Sequence, residues 1–268
     1  MKWLVYTLLI VNFALYIAED WNRAVQVLDS DANFLDWTAG FATSIDESAW
    51  FLLLFMFELE TYVLDDSDWT GWIAYVVRGI RLVCYTMLAH TVYAFGVFAI
   101  GLYPTQPVDD AARLCDLVDA EISYVYNVEY TPVTEQTCGE LSAASQFYWI
   151  DQGTAVTDKA GLKLERTLAW VDLVEVVVWL LILLAIETEV YLQDRGVTGG
   201  AALRMATGTG YLLYLLLIAF AIYWATLSHW LYFWDELLWI GGFAAIEMNV
   251  SEWRDELLEK DTEAHGSR

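Results

Sequence analysis

The sequence predicts an all-α integral membrane protein: six transmembrane helices forming three pseudo-threefold helical hairpins, with a small disulfide-linked extracytoplasmic cap. Three observations predict this class. The chain is 58% hydrophobic and has 14 Trp, more than a soluble domain of 268 residues buries in one core. Apolar runs long enough to cross a bilayer recur along it. One pattern of acidic residues and Trp also occurs three times.

The apolar runs define the predicted spans, each of which needs about 20 residues at 1.5 Å of rise per residue. They lie at 3–18, 45–64, 73–102, 168–192, 201–228 and 235–253. The first run begins like a signal peptide, but the residues around Ala18 form a poor cleavage site. We therefore interpret it as an uncleaved transmembrane helix.

These spans divide the chain into four regions. Residues 1–102 hold helices one to three, with an amphipathic segment at 19–45 that we expect at the outer membrane interface. Residues 103–166 form the extracytoplasmic cap, and residues 167–253 hold helices four to six. A short cytoplasmic tail follows at 254–268.

The cap carries a strand pattern and two cysteines. Residues 122–131 alternate largely with period two, which is typical of a half-buried strand, and a second strand at 147–150 is expected to pair with it. Cys115 and Cys138 both lie in this polar segment, which predicts a disulfide and therefore an oxidising compartment.

The basic residues give the same orientation. With the cap outside, most of them lie at cytoplasmic helix ends, as membrane proteins prefer. These are Lys2, Arg78, Arg81, Arg195, Arg204, Arg254, Lys260 and Arg268. We therefore expect a multi-pass protein of the cell (plasma or inner) membrane with both termini in the cytoplasm.

The net charge of −24 constrains the partners. Such an acidic chain is unsuited to nucleic acid, so the expected partner is the lipid bilayer. An acid-rich, lysine-poor surface is also typical of proteins that work in concentrated salt, which favours a halophilic host. Acidic loops that gather cations at a membrane surface are the alternative explanation.

The internal repeat joins the second, fourth and sixth helices. Each carries an acidic residue, a Trp four positions later, a Glu eight positions after the Trp, and a Glu or Asn two positions further on. The copies are Asp46, Trp50, Glu58, Glu60; Glu175, Trp179, Glu187, Glu189; and Asp235, Trp239, Glu247, Asn249. Each copy has the same place in its helix, which predicts three hairpins around an axis normal to the membrane.

The first acidic residue of each copy admits two interpretations. Ser44 with Glu47 and Asp172 with Glu175 match the spacing of a capping box, and Asp235 suits a helix start, so we favour helix capping. The Trp residues one turn deeper then match an aromatic belt at the membrane interface. The functional alternative places these acids around an outer vestibule.

The first deep glutamates, Glu58, Glu187 and Glu247, are predicted to be structural. An ionised group inside lipid is costly and needs a partner. Arg78 and Arg81 enter the third helix at the depth of Glu58, and Arg204 enters the fifth at the depth of Glu187. Lys2 is too shallow to serve Glu247 in the same way.

The last acids of the repeat are the better transport candidates. At 100° per residue they share a helix face with the outer acids, and rings of carboxylates concentrate cations. The predicted ion pathway therefore consists of Asp46, Glu175 and Asp235 at the outer end and Glu60, Glu189 and Asn249 at the inner end. Snorkelling of Glu60 to the cytoplasmic surface is the simpler alternative.

No motif of a known chemistry is present in the sequence. It has no HExxH, CxxC, Walker loop or nucleophile elbow, so we expect neither an enzyme nor a metal site or cofactor. His90 lies near mid-membrane, where we favour packing over proton relay. A bis-histidine haem is excluded because His229 is predicted at a different depth.

Two functions remain as hypotheses. The first is a channel or secondary transporter for protons or small cations, based on the repeated intramembrane carboxylates. The alternative is a non-catalytic structural or accessory subunit that binds another membrane protein or a second copy of itself.

Overall fold

The computed structural model describes residues 2–28, 31–62, 71–109, 111–195, 197 and 199–244. Within them the chain is mostly helical. Helices α1 to α4 span Lys2–Val27, Phe34–Gly40, Ala42–Tyr62 and Trp72–Gly101. Helices α5 to α7 span Cys138–Leu141, Lys159–Asp194 and Ala201–Thr226, and α8 spans 230–244.

Membrane-spanning character is concentrated in four of these helices. In the part of the chain that the structure describes, α1, α4, α6 and α7 contain candidate spans that are long and apolar enough to cross a bilayer. Helices α2 and α3, bent by 73°, make a fifth candidate if they are counted as one span. The class of helical membrane protein thus agrees with the structure. The predicted sixth span, 235–253, is described only as far as residue 244.

Two helices extend beyond their predicted apolar runs. α1 continues to Val27, so the segment predicted at 19–45 contains the end of α1, then α2, then the start of α3. α6 begins at Lys159, inside the predicted cap. Its start is capped by Asp158, whose Oδ1 accepts the N–H groups of Ala160 and Gly161, both at 2.9 Å.

The short helix α2 lies in the segment that was predicted to be interfacial. Asn33 caps it by accepting the N–H groups of Leu35 and Asp36, and no residue of α2 is buried. Its Phe34 is 78% exposed. A helix with exposed apolar side chains beside the candidate spans is suited to a membrane surface.

A side chain of α1 accepts hydrogen bonds from the first turn of α3. Asp20, which is 7% exposed, accepts the N–H and the hydroxyl of Ser44 at 2.8 and 2.7 Å. Ser44 is the third residue of α3, and N–H groups in a first helical turn need acceptors outside the helix. Asp20 therefore fixes α3 against α1.

The cap contains a four-stranded sheet, which an all-α class does not include. Its strands are β1 Ser123–Tyr126, β2 Glu129–Pro132, β3 Phe147–Ile150 and β4 Ala155–Asp158, in the order β2-β1-β4-β3. β1 pairs antiparallel with β2 and parallel with β4, and β3 pairs antiparallel with β4. The predicted pairing of 147–150 with the first strand is wrong, because β4 lies between them.

The predicted strand at 122–131 is in fact a hairpin. Asn127 and Val128, with φ of 56° and 60°, turn the chain between β1 and β2. Two successive residues with positive φ give the turn twist that matches paired strands. The predicted disulfide between Cys115 and Cys138 is present, and its Cα atoms are 4.9 Å apart.

The chain forms two compact units. The first unit consists of Met1–Asn12 and Val174–Arg268, and the second of Phe13–Leu173. In the second unit, the sheet packs on the end of α4 and the start of α6 through Leu102, Val125, Ile150 and Leu162. A separate apolar cluster that includes Cys138 and Phe147 fills the cap itself.

Candidate functional site

Three acidic side chains of the first unit lie together on α6 and α8. Glu175 comes from α6, and Asp235 and Glu236 come from α8. The carboxyl of Glu236 is close enough to those of Glu175 and Asp235 to interact with both electrostatically. We call these three residues the carboxylate cluster.

Neutral donors hold each carboxyl in place. The indole Nε1–H of Trp224, from α7, donates to Glu175 Oε2 at 2.9 Å. The indole Nε1–H of Trp179, from α6, donates to Glu236 Oε2 at 3.2 Å. On the third carboxyl, that of Asp235, the donor is the side-chain amide of Asn12.

Asn12 of α1 donates a hydrogen bond to Asp235. Its Nδ2 donates to Asp235 Oδ1 at 3.0 Å, and both side chains are buried. Indole and amide donors orient a carboxylate but carry no positive charge. These three bonds therefore fix the positions of the carboxyls without adding a cation.

Burial makes that charge costly. Asp235 is 6% exposed and Glu236 is 8% exposed, and the Trp224 ring beside Glu175 is 2% exposed. Like-charged carboxyls that share a low-dielectric site do not all ionise together without a counter-charge. The cluster therefore favours uptake of a proton or a cation.

One oxygen of the cluster has an unused capacity to accept a proton or a cation. Within the described residues, Oε1 of Glu236 is buried and has no hydrogen-bond partner. An unsatisfied buried acceptor is unfavourable, and a proton on it would remove the charge. The described ranges also contain no group of three or more His, Cys, Asp or Glu side chains arranged to hold a metal ion.

The structure corrects the capping interpretation of the outer acids. α3 begins at Ala42, α6 at Lys159 and α8 at residue 230. Asp46, Glu175 and Asp235 therefore lie inside their helices rather than at the N-termini. The capping interpretation is wrong because residues three apart in a helix interior have the same spacing as a capping box.

The aromatic-belt interpretation is also wrong. Trp50, Trp179 and Trp239 are only 5%, 8% and 5% exposed. A belt residue presents its ring to the lipid interface, whereas these rings are inside the protein. In the second unit, Trp50 donates to Asp46 Oδ2 at 3.0 Å, one helical turn earlier. The Trp residues of the repeat therefore pack among the helices.

The second unit holds the remaining outer acid. Asp46 is half-buried on α3, and its neighbour Glu47 is 6% exposed. Two consecutive acids in an apolar helix occur here, as they do at Asp235 and Glu236. Glu236 is the functional candidate that the sequence analysis missed, and this tandem was the available signal.

The inner acids are only partly described. The side chain of Glu60 and the whole of Asn249 and Glu247 lie outside the described residues. Glu189 is half-buried on α6 and Glu58 is half-buried on α3. The inner end of the pathway therefore stays a prediction.

The predicted arginine pairs of the deep glutamates likewise stay predictions. Arg78 is exposed and Arg81 is half-buried on α4. Arg204 is exposed on α7, and its Nε donates to the backbone oxygen of Gly200 at 3.4 Å. Glu187 is exposed on α6.

His90 lies on α4 beside an aromatic ring. Its imidazole centre is 6.5 Å from that of Tyr93. Its Nε2 is buried with no hydrogen-bond partner in the part of the chain that the structure describes. His229, by contrast, is in the first unit and stacks on Tyr232 at 5.1 Å.

Comparison with known proteins adds no relative. The chain matches no protein-family model, and no curated protein or solved structure is significantly similar to it.

Proposed function

We propose that the protein carries protons across the membrane, as a channel or secondary transporter, and that the carboxylate cluster is a protonation site on the path. The observation that carries this proposal is the electrostatic interaction of Glu236 with the Glu175 and Asp235 carboxyls, together with a buried Glu236 oxygen that has no hydrogen-bond partner among the described residues. Buried ionisable groups in membrane helices are costly and mark proton relays. A small cation is the alternative occupant of the same site.

The second part of the proposal is that six spans form three helical hairpins around a pseudo-threefold axis, and helix contacts support it. Asn12 of α1 bonds α8, and Trp224 of α7 bonds α6. In the second unit, Thr91 Oγ1 of α4 donates to the backbone of Ala42 in α3, at 3.5 Å. In each case the first helix of one hairpin contacts the second helix of another, which three similar hairpins would repeat.

The proposed path runs between two sets of acids. Asp46, Glu175 and Asp235 form its outer end, and Glu60, Glu189 and Asn249 its inner end. The cap faces the outside of a cell membrane in this proposal, and both termini are cytoplasmic. The disulfide supports this side for the cap, because disulfides form in oxidising compartments.

Proton flux into liposomes tests the proposal. Protein is reconstituted with a trapped pH-sensitive dye, and a potassium gradient with valinomycin supplies the driving force. Glu236→Gln keeps the acceptor for Trp179 but removes the ionisable group, so we expect the flux to fall about tenfold or more. Glu140→Gln, at an exposed cap residue, is the matched control and should retain the flux.

A flux of Glu236→Gln equal to that of the native protein would contradict the role of the cluster. Folding is checked by the thermal unfolding of both variants in the same detergent. Sodium and potassium gradients are then applied separately, without valinomycin, to distinguish a proton from a small cation as the occupant of the cluster. A current carried by sodium or potassium and lost in Glu236→Gln would assign the cluster to that cation instead.

A further inference from the structure

A cavity of about 370 Å³ lies within the second unit. It is lined by the last turns of α1, by α2, by the end of α4, by the cap and by the start of α6. Small-molecule sites are concave, mostly apolar and of about 300–1,000 Å³. The cavity shares no residue with the carboxylate cluster, so it is a separate candidate site.

Most of the cavity wall is apolar. Ala24 of α1 and Leu28 just after it contribute, as do Ala94 of α4, Leu102 just after α4, and Leu168 of α6. Ala94, Leu102 and Leu168 are buried. An occupant therefore needs an apolar body.

The polar part of the wall is strongly acidic. It holds four carboxyl groups, those of Asp36, Asp151, Glu165 and Asp172, and one guanidinium, that of Arg23. The formal charge of the wall is therefore negative when the acids are ionised. An occupant with a positive charge is favoured on electrostatic grounds.

The single guanidinium of Arg23 is shared among several acids of the wall. It lies over the rings of Phe98 and Tyr130, 5.0 and 5.2 Å from their centres. It is 3.9 Å from Asp151, which also accepts the hydroxyl of Tyr130. It also interacts electrostatically with Glu165 and Asp172, so one positive charge faces several carboxyls.

Glu165 is the acid most enclosed by the protein. It is 2% exposed, and its Oε1 accepts the backbone N–H of Val128 at 3.1 Å. A neutral N–H group orients this carboxyl without cancelling its charge. Asp172 follows two turns later on the same helix and also lines the cavity, so the α6 side presents two carboxyls that share the charge of Arg23.

We propose that this cavity binds an organic cation with an apolar body, such as a substituted ammonium ion. The apolar walls of α1 and α4 would hold the hydrocarbon part, and Glu165 and Asp172 would lie nearest the charge. The site is independent of the proposed proton path.

Binding of a matched pair of probes tests this site. Benzyltrimethylammonium carries the charge and an apolar ring, and neopentylbenzene has the same shape without the charge. Binding is measured by titration calorimetry on the full-length protein in lipid nanodiscs. We expect the cation to bind at least about tenfold more tightly than the neutral probe.

Three variants locate the binding. Glu165→Gln and Asp172→Asn keep the shape of each side chain and should each weaken cation binding about tenfold. Ala39→Trp fills the cavity from exposed α2 and should weaken both probes. Asp119→Asn, at an exposed cap residue, is the control and should leave binding unchanged.

The outcomes separate clearly. No detectable cation binding, equal binding of both probes, or full binding in the Glu165→Gln and Asp172→Asn variants would each overturn the proposal. Proton flux in liposomes is measured on the same variants. Loss of probe binding with unchanged flux would show that the cavity and the proton path are separate sites, as proposed.

Discussion

The backbone N–H of Val128 donates a hydrogen bond of 3.1 Å to Oε1 of Glu165. This bond joins the turn of the β1–β2 hairpin to the second turn of α6, and Glu165 is 2% exposed. Val128 has φ of 60°, a conformation that β-branched residues rarely adopt. The Glu165 carboxyl thus helps to hold a strained turn against the helix that carries the cap.

Two substitutions should shift this turn in opposite directions. Val128→Gly removes the strain at positive φ and creates the Asn-Gly pair that such turns favour, so we expect about 1 kcal/mol of stabilisation. Glu165→Ala leaves the Val128 N–H without its acceptor and should destabilise the cap by about 1–3 kcal/mol. Hydrogen exchange of the β1 and β2 amides measures both. Slower exchange in Glu165→Ala than in the native protein would contradict this role.

Gly161 is required by the approach of α6 to the sheet. A Cβ at this position would overlap Oγ1 of Thr157 and would lie 3.4 Å from the backbone oxygen of Val125. The Thr157 hydroxyl already donates to that oxygen at 2.7 Å. Gly161→Ala should therefore destabilise the cap by about 1–3 kcal/mol.

A double variant tests the cause of that loss. Thr157→Ala removes the overlapping hydroxyl, so Gly161→Ala should cost less in its presence than alone. Gly139→Ala is the matched control, because no atom from another part of the described residues lies within 4 Å of a Cβ placed there. Thermal unfolding in detergent gives the comparison. Equal losses at Gly139 and Gly161 would show that close packing is not the reason.

Asp158 makes the stability of the cap sensitive to acid. Burial opposes ionisation, but the N–H groups of Gly161 and Ala160 and the hydroxyls of Ser142 and Tyr124 bond the carboxylate. These bonds outweigh burial, so the pKa of Asp158 lies below its usual value of 3.8. A carboxyl with a lowered folded pKa stabilises the protein above its unfolded pKa and loses this contribution as pH falls through the folded pKa.

The expected result is a lower unfolding temperature as the pH is reduced from about 5 to about 3. Asp158→Asn should be less stable at neutral pH and should show a flatter dependence over this range. Asp119→Asn, an exposed residue of the cap, should keep the native dependence. Circular dichroism over a pH series provides the measurement. An unchanged slope in Asp158→Asn would assign the acid sensitivity to other groups.

Hydropathy predicted the four helices that are candidate spans in the described residues, and the period-two pattern predicted strands within 122–131 and at 147–150. Neither pattern predicted β4 or the polar capping of α6. The start of α6 contains Lys159, Lys163 and Arg166, so hydropathy did not assign it to a helix. The helix begins there because the Asp158 side chain caps its first turn. The hairpin turn was missed for a related reason. Val128 is not a turn residue, and its positive φ depends on Glu165, far along the chain.

The carboxylate cluster illustrates a second limit. Spacing along one helix identified Glu175 and Asp235 as members of a repeat, and the structure places both beside Glu236. Their donors come from other helices, as Trp224 does for Glu175. Such pairs depend on how helices pack, which periodicity in one sequence does not define. Sequence therefore located the acids but assigned them the wrong local role.

The inner acids of the repeat give the sharpest remaining test of the pathway. If Glu60 and Glu189 carry protons at the inner end, Glu60→Gln combined with Glu189→Gln should lower proton flux in liposomes about tenfold or more. The matched control is Glu58→Gln with Glu187→Gln, two positions earlier on the same helices. That control removes the acids predicted to pair with arginine, so it should lower the unfolding temperature and retain flux per folded protein. Unchanged flux in the Glu60 and Glu189 variant, or an equal loss in both double variants, would remove these residues from the path.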